Sequence, residues 1–109
     1  MMFVGIQAEE GKEITEDSLV SYFNDKGLKS DDEFIFDGDK KFSYFVAEEA
    51  NYMVLKEEND LDFFTENLIS YLSTVKGSIT VKDEEQEEDD GFLYIGNVKQ
   101  FLKVWSNLD

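Results

Sequence analysis

Carboxylates are the only abundant groups in this sequence that could take part in polar chemistry. Of its 109 residues, 26 are Asp or Glu, whereas Cys, His and Arg are all absent. Without Cys, no thiolate can attack a substrate or bind a metal ion. Without His, the chain lacks the side chain most often used for acid–base work near neutral pH. The chemistry open to this chain is therefore that of clustered negative charge.

The densest acidic segment is the run DEEQEEDD at residues 83–90. Like charges this close repel one another and stay solvated, so we predict a flexible acidic loop at 83–91. Runs of this kind also serve as interaction segments. The candidate partner-binding residues in the run are its seven acids, Asp83, Glu84, Glu85, Glu87, Glu88, Asp89 and Asp90.

Two further acidic groups are candidates for an ordered array of carboxylates that binds a partner. They are Asp31, Asp32 and Glu33, and then Glu57, Glu58, Asp60 and Asp62. Both groups lie at predicted turns or helix starts, where N-capping is the ordinary explanation for an acid. Capping alone does not require a net charge of −16. We therefore predict that the ordered groups, the acidic run, or both bind the partner.

Known motifs for metal binding and catalysis do not fit these acids. Residues 37–48 read as an EF-hand loop place Asp37, Asp39 and Glu48 at ligand positions, but Phe42 stands where the loop needs Gly. Paired carboxylates can hydrolyse glycosides in principle, yet the sequence defines no substrate pocket. It also lacks the spacing of a phosphate-binding glycine loop. We predict a protein that is not an enzyme and that uses no cofactor and no metal.

The net charge limits the choice of partner. A net charge of magnitude about 2–8 is enough to keep a small domain soluble. This chain has a net charge of −16, with only ten lysines. Such a surface repels nucleic acid and anionic lipid, so a basic protein is the natural partner. The N-terminal sequence lacks the pattern of a signal peptide, and no apolar run reaches the ~20 residues that span a bilayer. We expect a cytoplasmic protein and leave open whether it is a monomer or a dimer.

Hydrophobic periodicity and turn residues predict the elements that position these acids. The predicted strands are 2–7, three strands within 33–56, 78–82 and 92–95, and the predicted helices are 16–26, one from residue 59 or 60 up to Gly77, and one after Asn97. We therefore predict one α+β domain over residues 1–109. It should have two layers, a largely antiparallel sheet with the helices packed on one face, in the order β-α-β-β-β-α-β-β-α.

Aromatic residues are abundant, with ten Phe, five Tyr and one Trp. Many of them crowd the predicted strands between residues 34 and 52. A small two-layer domain buries only one face of its sheet, so some of these rings should be exposed. Exposed rings surrounded by acids have the anatomy of an interface, with an apolar centre and a polar rim.

In overall character the chain resembles phage-encoded inhibitors that mimic DNA, such as anti-restriction and anti-CRISPR proteins. It is small, acidic and rich in aromatic residues, and it lacks Cys and His. This resemblance is one of composition and assigns no role to any residue. It implies an inhibitor, encoded by a phage or a mobile element, that binds the basic nucleic-acid-binding surface of a target protein. The alternatives are an immunity protein against a nuclease-type toxin and an acidic secretion chaperone, which share this composition.

Overall fold

One antiparallel sheet organises the chain. The computed structural model describes residues 2–9, 14–83 and 92–106. In these ranges the strands are β1 (Met2–Ala8), β2 (Lys29–Ser30), β3 (Phe34–Asp37), β4 (Lys40–Ala47), β5 (Tyr52–Glu57), β6 (Gly77–Asp83) and β7 (Phe92–Asn97). The helices are α1 (Glu16–Asp25), α2 (Leu61–Leu72) and α3 (Val98–Ser106), and a 3-10 turn covers Glu48–Ala50. The predicted α+β class and its order of elements are confirmed, with β2 as one additional short strand.

Side-chain caps begin the helices where the sequence predicts. Thr15 caps α1, and its Oγ1 accepts the backbone N–H of Ser18 at 3.1 Å. Asp60 caps α2 by accepting the N–H of Phe63 at 2.8 Å, and Asn97 caps α3 by accepting the N–H of Lys99 at 2.8 Å. Each cap satisfies a backbone donor that the first helical turn leaves without a partner.

The prediction that Gly77 ends the second helix is wrong. Helix α2 ends at Leu72, and Gly77 is the first residue of β6. A Cβ atom at Gly77 would lie 2.1 Å from the backbone oxygen of Gln7 on the neighbouring strand. Gly is therefore required here by the close approach of two strands rather than by a helix end.

The strand order of the sheet is β2-β3-β4-β5-β1-β6-β7. The N-terminal strand β1 lies inside the sheet, where it pairs antiparallel with both β5 and β6. The strands β2, β3, β4 and β5 form a meander, and the turn at Gly38 and Asp39 joins β3 to β4. The meander therefore forms one margin of the sheet, and it carries most of the candidate acids that the structure describes.

Alternation along the strands places one side of the sheet in the core. Ile6 of β1, Leu55 of β5 and Ile79 of β6 are fully buried and belong to one hydrophobic cluster. Phe23 of α1 and Phe64 of α2 join the same cluster, as do residues of α3. The helices thus pack on one face of the sheet, as predicted, and leave the other face open.

Two boundaries bear on the acidic run. Strand β6 continues one residue beyond the prediction, so Asp83 is a strand residue that pairs with Met2. The rest of the predicted loop, residues 84–91, lies outside the described residues. Among the helices that the structure describes, none has the length and apolarity needed to cross a bilayer.

Candidate functional site

Acids from three separate segments meet at the end of β4. The backbone N–H of Glu16, at the start of α1, donates to Oε1 of Glu48 at 3.0 Å. Glu16, Asp32, Glu48 and Glu49 line one groove of about 560 Å³ together with residues 44–47 of β4. These acids and their neighbours form what we call the groove cluster, defined as Glu16, Asp31, Asp32, Glu33, Glu48 and Glu49. All six side chains are exposed.

A turn held by Asp31 fixes the middle of the groove cluster. Oδ1 of Asp31 accepts the backbone N–H groups of Glu33 at 2.9 Å and of Phe34 at 2.7 Å. These two hydrogen bonds lower the pKa of the Asp31 carboxyl below its usual value, and Lys41 adds a smaller effect in the same direction. Asp31 therefore has a structural role, and it presents Asp32 and Glu33 in one fixed turn.

Tyr44 ties this turn to β4 under the groove. Its hydroxyl donates to the backbone oxygen of Asp31 at 2.5 Å, and its backbone N–H donates to the oxygen of Glu33 at 3.0 Å. Burial raises the pKa of the Tyr44 hydroxyl, and the negative charges of Glu16, Asp31 and Asp32 raise it further. Carboxylates of the groove therefore lie close enough to the buried Tyr44 hydroxyl to raise its pKa together.

A second set of acids gathers at the opposite end of β4. Asn59 bridges two segments there, because its amide donates to the backbone oxygen of Asp39 at 2.6 Å and its Oδ1 accepts the N–H of Lys41 at 3.0 Å. The turn between β3 and β4 is thereby held beside the segment before α2. We call the acids of this region the hairpin cluster, defined as Asp37, Asp39, Glu57, Glu58, Asp60 and Asp62.

Two members of the hairpin cluster have structural partners. Asp60 caps α2, and Glu57 accepts the backbone N–H of Met2 at 3.0 Å. Capping is thus the observed role of Asp60, as the ordinary explanation of such acids suggests. Glu58 and Asp62 remain as the candidate residues of this group whose carboxylates have no described hydrogen bond to the backbone.

The two clusters lie along the same margin of the sheet. Glu33 immediately precedes β3 and Asp37 ends it, so the nearest members of the two clusters are separated by about 13 Å at ~3.3 Å per strand residue. By the same spacing β4 spans about 23 Å between its two ends. The sequence-predicted groups 31–33 and 57–62 are therefore not one patch but the two ends of one acidic margin.

The open face of the sheet has a different character. Strand pairing and alternation place no acidic residue on the outward side of the described strands. Lys41 lies over the ring of Phe34 with its Nζ 4.3 Å from the ring centroid, and Lys56 lies over Phe3 at 5.1 Å. Phe45 is 65% exposed and stands at the groove. The expected exposed ring beside an acidic rim is thus present at Phe45.

Sequence reasoning missed Glu48 and Glu49 as candidate site residues. They lie in the turn after β4, and nothing in the local sequence indicates that this turn meets the start of α1. The acids Glu84 to Asp90, and the side chain of Asp83, lie outside what the structure describes. Only the backbone of Asp83 is placed, at the same end of the sheet as Glu57.

The acids of the described ranges come near one another without forming a metal site. No three Asp or Glu side chains in the described ranges come together closely enough to hold a metal ion. Comparisons of the chain with family models, with curated proteins and with solved structures give no match. The function of this chain must therefore be inferred from its own geometry and charge.

Proposed function

We propose that this protein is an acidic inhibitor that binds the basic nucleic-acid-binding surface of a target protein by mimicry of DNA. The observation that carries the proposal is the acidic margin formed by the groove cluster and the hairpin cluster at the two ends of β3. The target is a basic, nucleic-acid-binding enzyme of the cytoplasm. The protein itself binds neither nucleic acid nor membrane, and we propose that a phage or mobile element encodes it.

The density of charge along the margin supports this proposal. The longest dimension of the described domain is 35 Å, and a duplex of that length carries about 20 phosphates at one per ~1.7 Å. About half of those phosphates face a protein bound to one side of the duplex. The groove and hairpin clusters together hold twelve carboxylates, so their number is comparable to the phosphates they would replace.

The fixed positions of these carboxylates also favour binding. Ordering a mobile segment costs about 1–2 kcal/mol per residue. The turn at Asp31, the contact between Glu48 and the start of α1, and the Asn59 bridge are already formed in the free protein. The margin therefore keeps more of its electrostatic attraction than a disordered acidic segment of equal charge would.

The placement of the lysines supports the same proposal. Lys41 and Lys56 lie over aromatic rings on the open face, and Lys26 lies over Tyr22 on the helical side. None of the lysines that the structure describes lines the groove at the end of β4. These three lysines thus lie beside aromatic rings rather than in the groove, whose four acids are left to face a partner.

Displacement from DNA tests the proposal directly. Nucleic-acid-binding proteins of a bacterial lysate are bound to immobilised duplex DNA and then challenged with the purified protein at constant salt. We expect selective release of one or a few basic proteins. The released protein, once purified, should compete between DNA and this protein, and its affinity should fall steeply between ~50 and ~500 mM salt. Binding that is unchanged across this range would contradict the proposal.

Three matched variants, each lacking four charges, locate the mimic. The groove variant carries Glu16→Gln, Asp32→Asn, Glu48→Gln and Glu49→Gln. The hairpin variant carries Asp37→Asn, Asp39→Asn, Glu58→Gln and Asp62→Asn. The run variant carries Glu84→Gln, Glu85→Gln, Glu87→Gln and Glu88→Gln.

We expect the groove and hairpin variants each to bind at least about tenfold more weakly than the run variant, mainly through slower association. Equal losses in all three variants would show that only total charge matters, and the margin would then have no special role. A loss confined to the run variant would assign the function to the acidic run instead.

The same experiment separates the alternatives. An immunity protein would bind one cognate nuclease without competing for its DNA site, so inhibition would occur with no displacement from DNA. A secretion chaperone would leave the DNA-bound proteins in place and would bind an unfolded or helical segment of a secreted protein. Either result would replace the proposed function.

A further inference from the structure

Strand β4 extends beyond its outer neighbour. Its pairing with β3 ends at Ser43, opposite Phe34, whereas its pairing with β5 continues to Ala47. The last backbone hydrogen bond on the outer side is the one from Tyr44 N–H to Glu33. Of the strands that the structure describes, none pairs with the outer side of β4 after Tyr44.

The backbone of Val46 faces this uncovered edge. In an antiparallel ladder the N–H and C=O of one residue point to the same side, and this side alternates along the strand. Tyr44 points its N–H to the β3 side, so Val46, two residues on, points both its backbone groups the same way. Phe45 points its backbone groups to β5, opposite Val54. Val46 therefore offers one donor and one acceptor that no described residue uses.

The Tyr44 carbonyl is a third group on this edge to which no described residue donates. The N–H of Glu33 would pair with it if β3 continued, but that N–H donates to the side chain of Asp31 instead. The turn at Asp31 thus ends the β3 pairing early and leaves the edge open. The edge also forms one wall of the groove that contains Glu16, Asp32, Glu48 and Glu49.

We propose that the edge of β4 at Val46 accepts an extended basic segment of the partner protein as an additional strand. The backbone groups of Tyr44 and Val46 would hold the segment, as in other cases of strand addition. Charge complementarity identifies the occupant, since four acids and none of the described lysines line the groove. The inference rests on the proposed function for the basic nature of the partner, and it adds how that partner docks.

The two faces of the sheet set the sequence pattern of this segment. Side chains of an added strand alternate between the faces. On the helical face they meet Glu16 beside the Tyr44 hydroxyl, and on the open face they meet Phe45, which is 65% exposed. The fitting segment therefore alternates basic and apolar residues.

A synthetic hexapeptide of alternating Lys and Val is the probe. Its control is the same peptide with N-methyl groups on alternate backbone nitrogens along one edge, which removes hydrogen-bond donors and keeps the charge. We expect the unmodified peptide to slow hydrogen exchange of the Val46 amide by about tenfold or more. The N-methylated peptide should bind at least about fivefold more weakly.

Two proline variants check the register. Val46→Pro removes an N–H that faces the open edge and replaces a side chain that is only partly buried against the core, so the variant should fold and should bind the peptide more weakly. Phe45→Pro removes an N–H that bonds to β5, so it should lower the melting temperature. If Val46→Pro does not fold, the comparison of the two peptides on the wild-type protein decides the matter.

The possible failures are distinguishable. If the protein displaces a partner from DNA while the Val46 amide exchanges at its free rate and Val46→Pro binds that partner normally, strand addition is wrong and the proposed function stands. If the peptide binds in a donor-dependent way but no DNA-bound protein is displaced, the proposed function is wrong and the strand site stands. If the N-methylated and unmodified peptides bind equally, the groove acids act as plain charge that keeps this edge from pairing with other strands.

Discussion

Glu48 accepts the backbone N–H of Glu16 at 3.0 Å, so two acids 32 residues apart in the chain lie in contact. Proximity of like charges is unfavourable, but the N–H of Glu16 belongs to the first turn of α1, where the helix dipole favours a carboxylate. The contact therefore both stabilises the helix start and assembles the groove. It is the clearest case in this protein of one hydrogen bond that serves fold and surface together.

Substitution of Glu48 tests this contact. Glu48→Gln keeps a side-chain acceptor, whereas Glu48→Ala removes it. We expect Glu48→Ala to lower the free energy of unfolding by about 0.5–1 kcal/mol, and Glu48→Gln to lower it less. Urea unfolding monitored by circular dichroism measures both. Two variants as stable as the wild type would show that the contact contributes nothing to stability.

The turn at Asp31 should make the stability of the protein depend on pH in acid. Hydrogen bonds from the backbone N–H groups of Glu33 and Phe34 lower the pKa of Asp31 below 3.8 in the folded protein. The ionised form is thus favoured by folding, so this contribution is present above pH 3.8 and is lost as the pH falls through the folded pKa. Asp31→Asn keeps an acceptor for both N–H groups but has no proton to bind.

Melting temperatures recorded from pH 6 down to pH 2 check this prediction. We expect the wild type to be more stable than Asp31→Asn at pH 6 and to lose this advantage as the pH falls below 3.8. Parallel curves would show that protonation of Asp31 is not linked to folding. The comparison of two proteins removes the contribution of all other carboxylates.

The buried Tyr71 should make the stability of the protein depend on pH in base. Its side chain is only 6% exposed, and burial raises its pKa to about 12, with a smaller effect from Tyr22. Folding therefore favours the neutral phenol. The neutral phenol contributes fully to the free energy of unfolding below pH 10. This contribution, up to about 3 kcal/mol, is lost as the pH rises from 10 through 12.

Tyr71→Phe is the variant for this measurement. We expect it to retain stability between pH 10 and 12 better than the wild type, by urea unfolding at each pH. Phenolate absorbance near pH 10 should be equal in the folded wild type and in folded Tyr71→Phe, although the wild type contains one tyrosine more. A wild type and variant with the same loss of stability in base would contradict the buried pKa.

Substitution of two glycines of the sheet should destabilise the protein to different extents. A Cβ at Gly77 would lie 2.1 Å from the backbone oxygen of Gln7, and a backbone atom in a paired strand cannot move away. A Cβ at Gly5 would lie 2.2 Å from the hydroxyl of Tyr52, which can rotate outward. We expect Gly77→Ala to destabilise the protein by about 2 kcal/mol or more and Gly5→Ala by about 1 kcal/mol. Adding Tyr52→Ala should relieve Gly5→Ala and leave Gly77→Ala unchanged.

Local patterns in the sequence determine the helices, the strands and their caps. Thr15 and Asn97 cap the first and last helices as predicted, and Asp60 is the one of the two predicted positions, 59 and 60, that caps α2, since a cap acts within three or so residues of its own position. The hairpin at Gly38 and Asp39 also follows from local turn chemistry. The class of the fold then follows, because amphipathic helices must cover one face of the sheet.

Only the tertiary structure decides which acids meet. The place of β1 between β5 and β6 and the early end of β3 depend on pairings between distant segments, which alternation along single strands cannot specify. The groove forms because the turn after β4 packs against the start of α1, and Gly77 is required by a strand that is far from it in sequence. The sequence determines the amount and the sign of the charge, whereas the fold determines its division into two clusters beside an open strand edge.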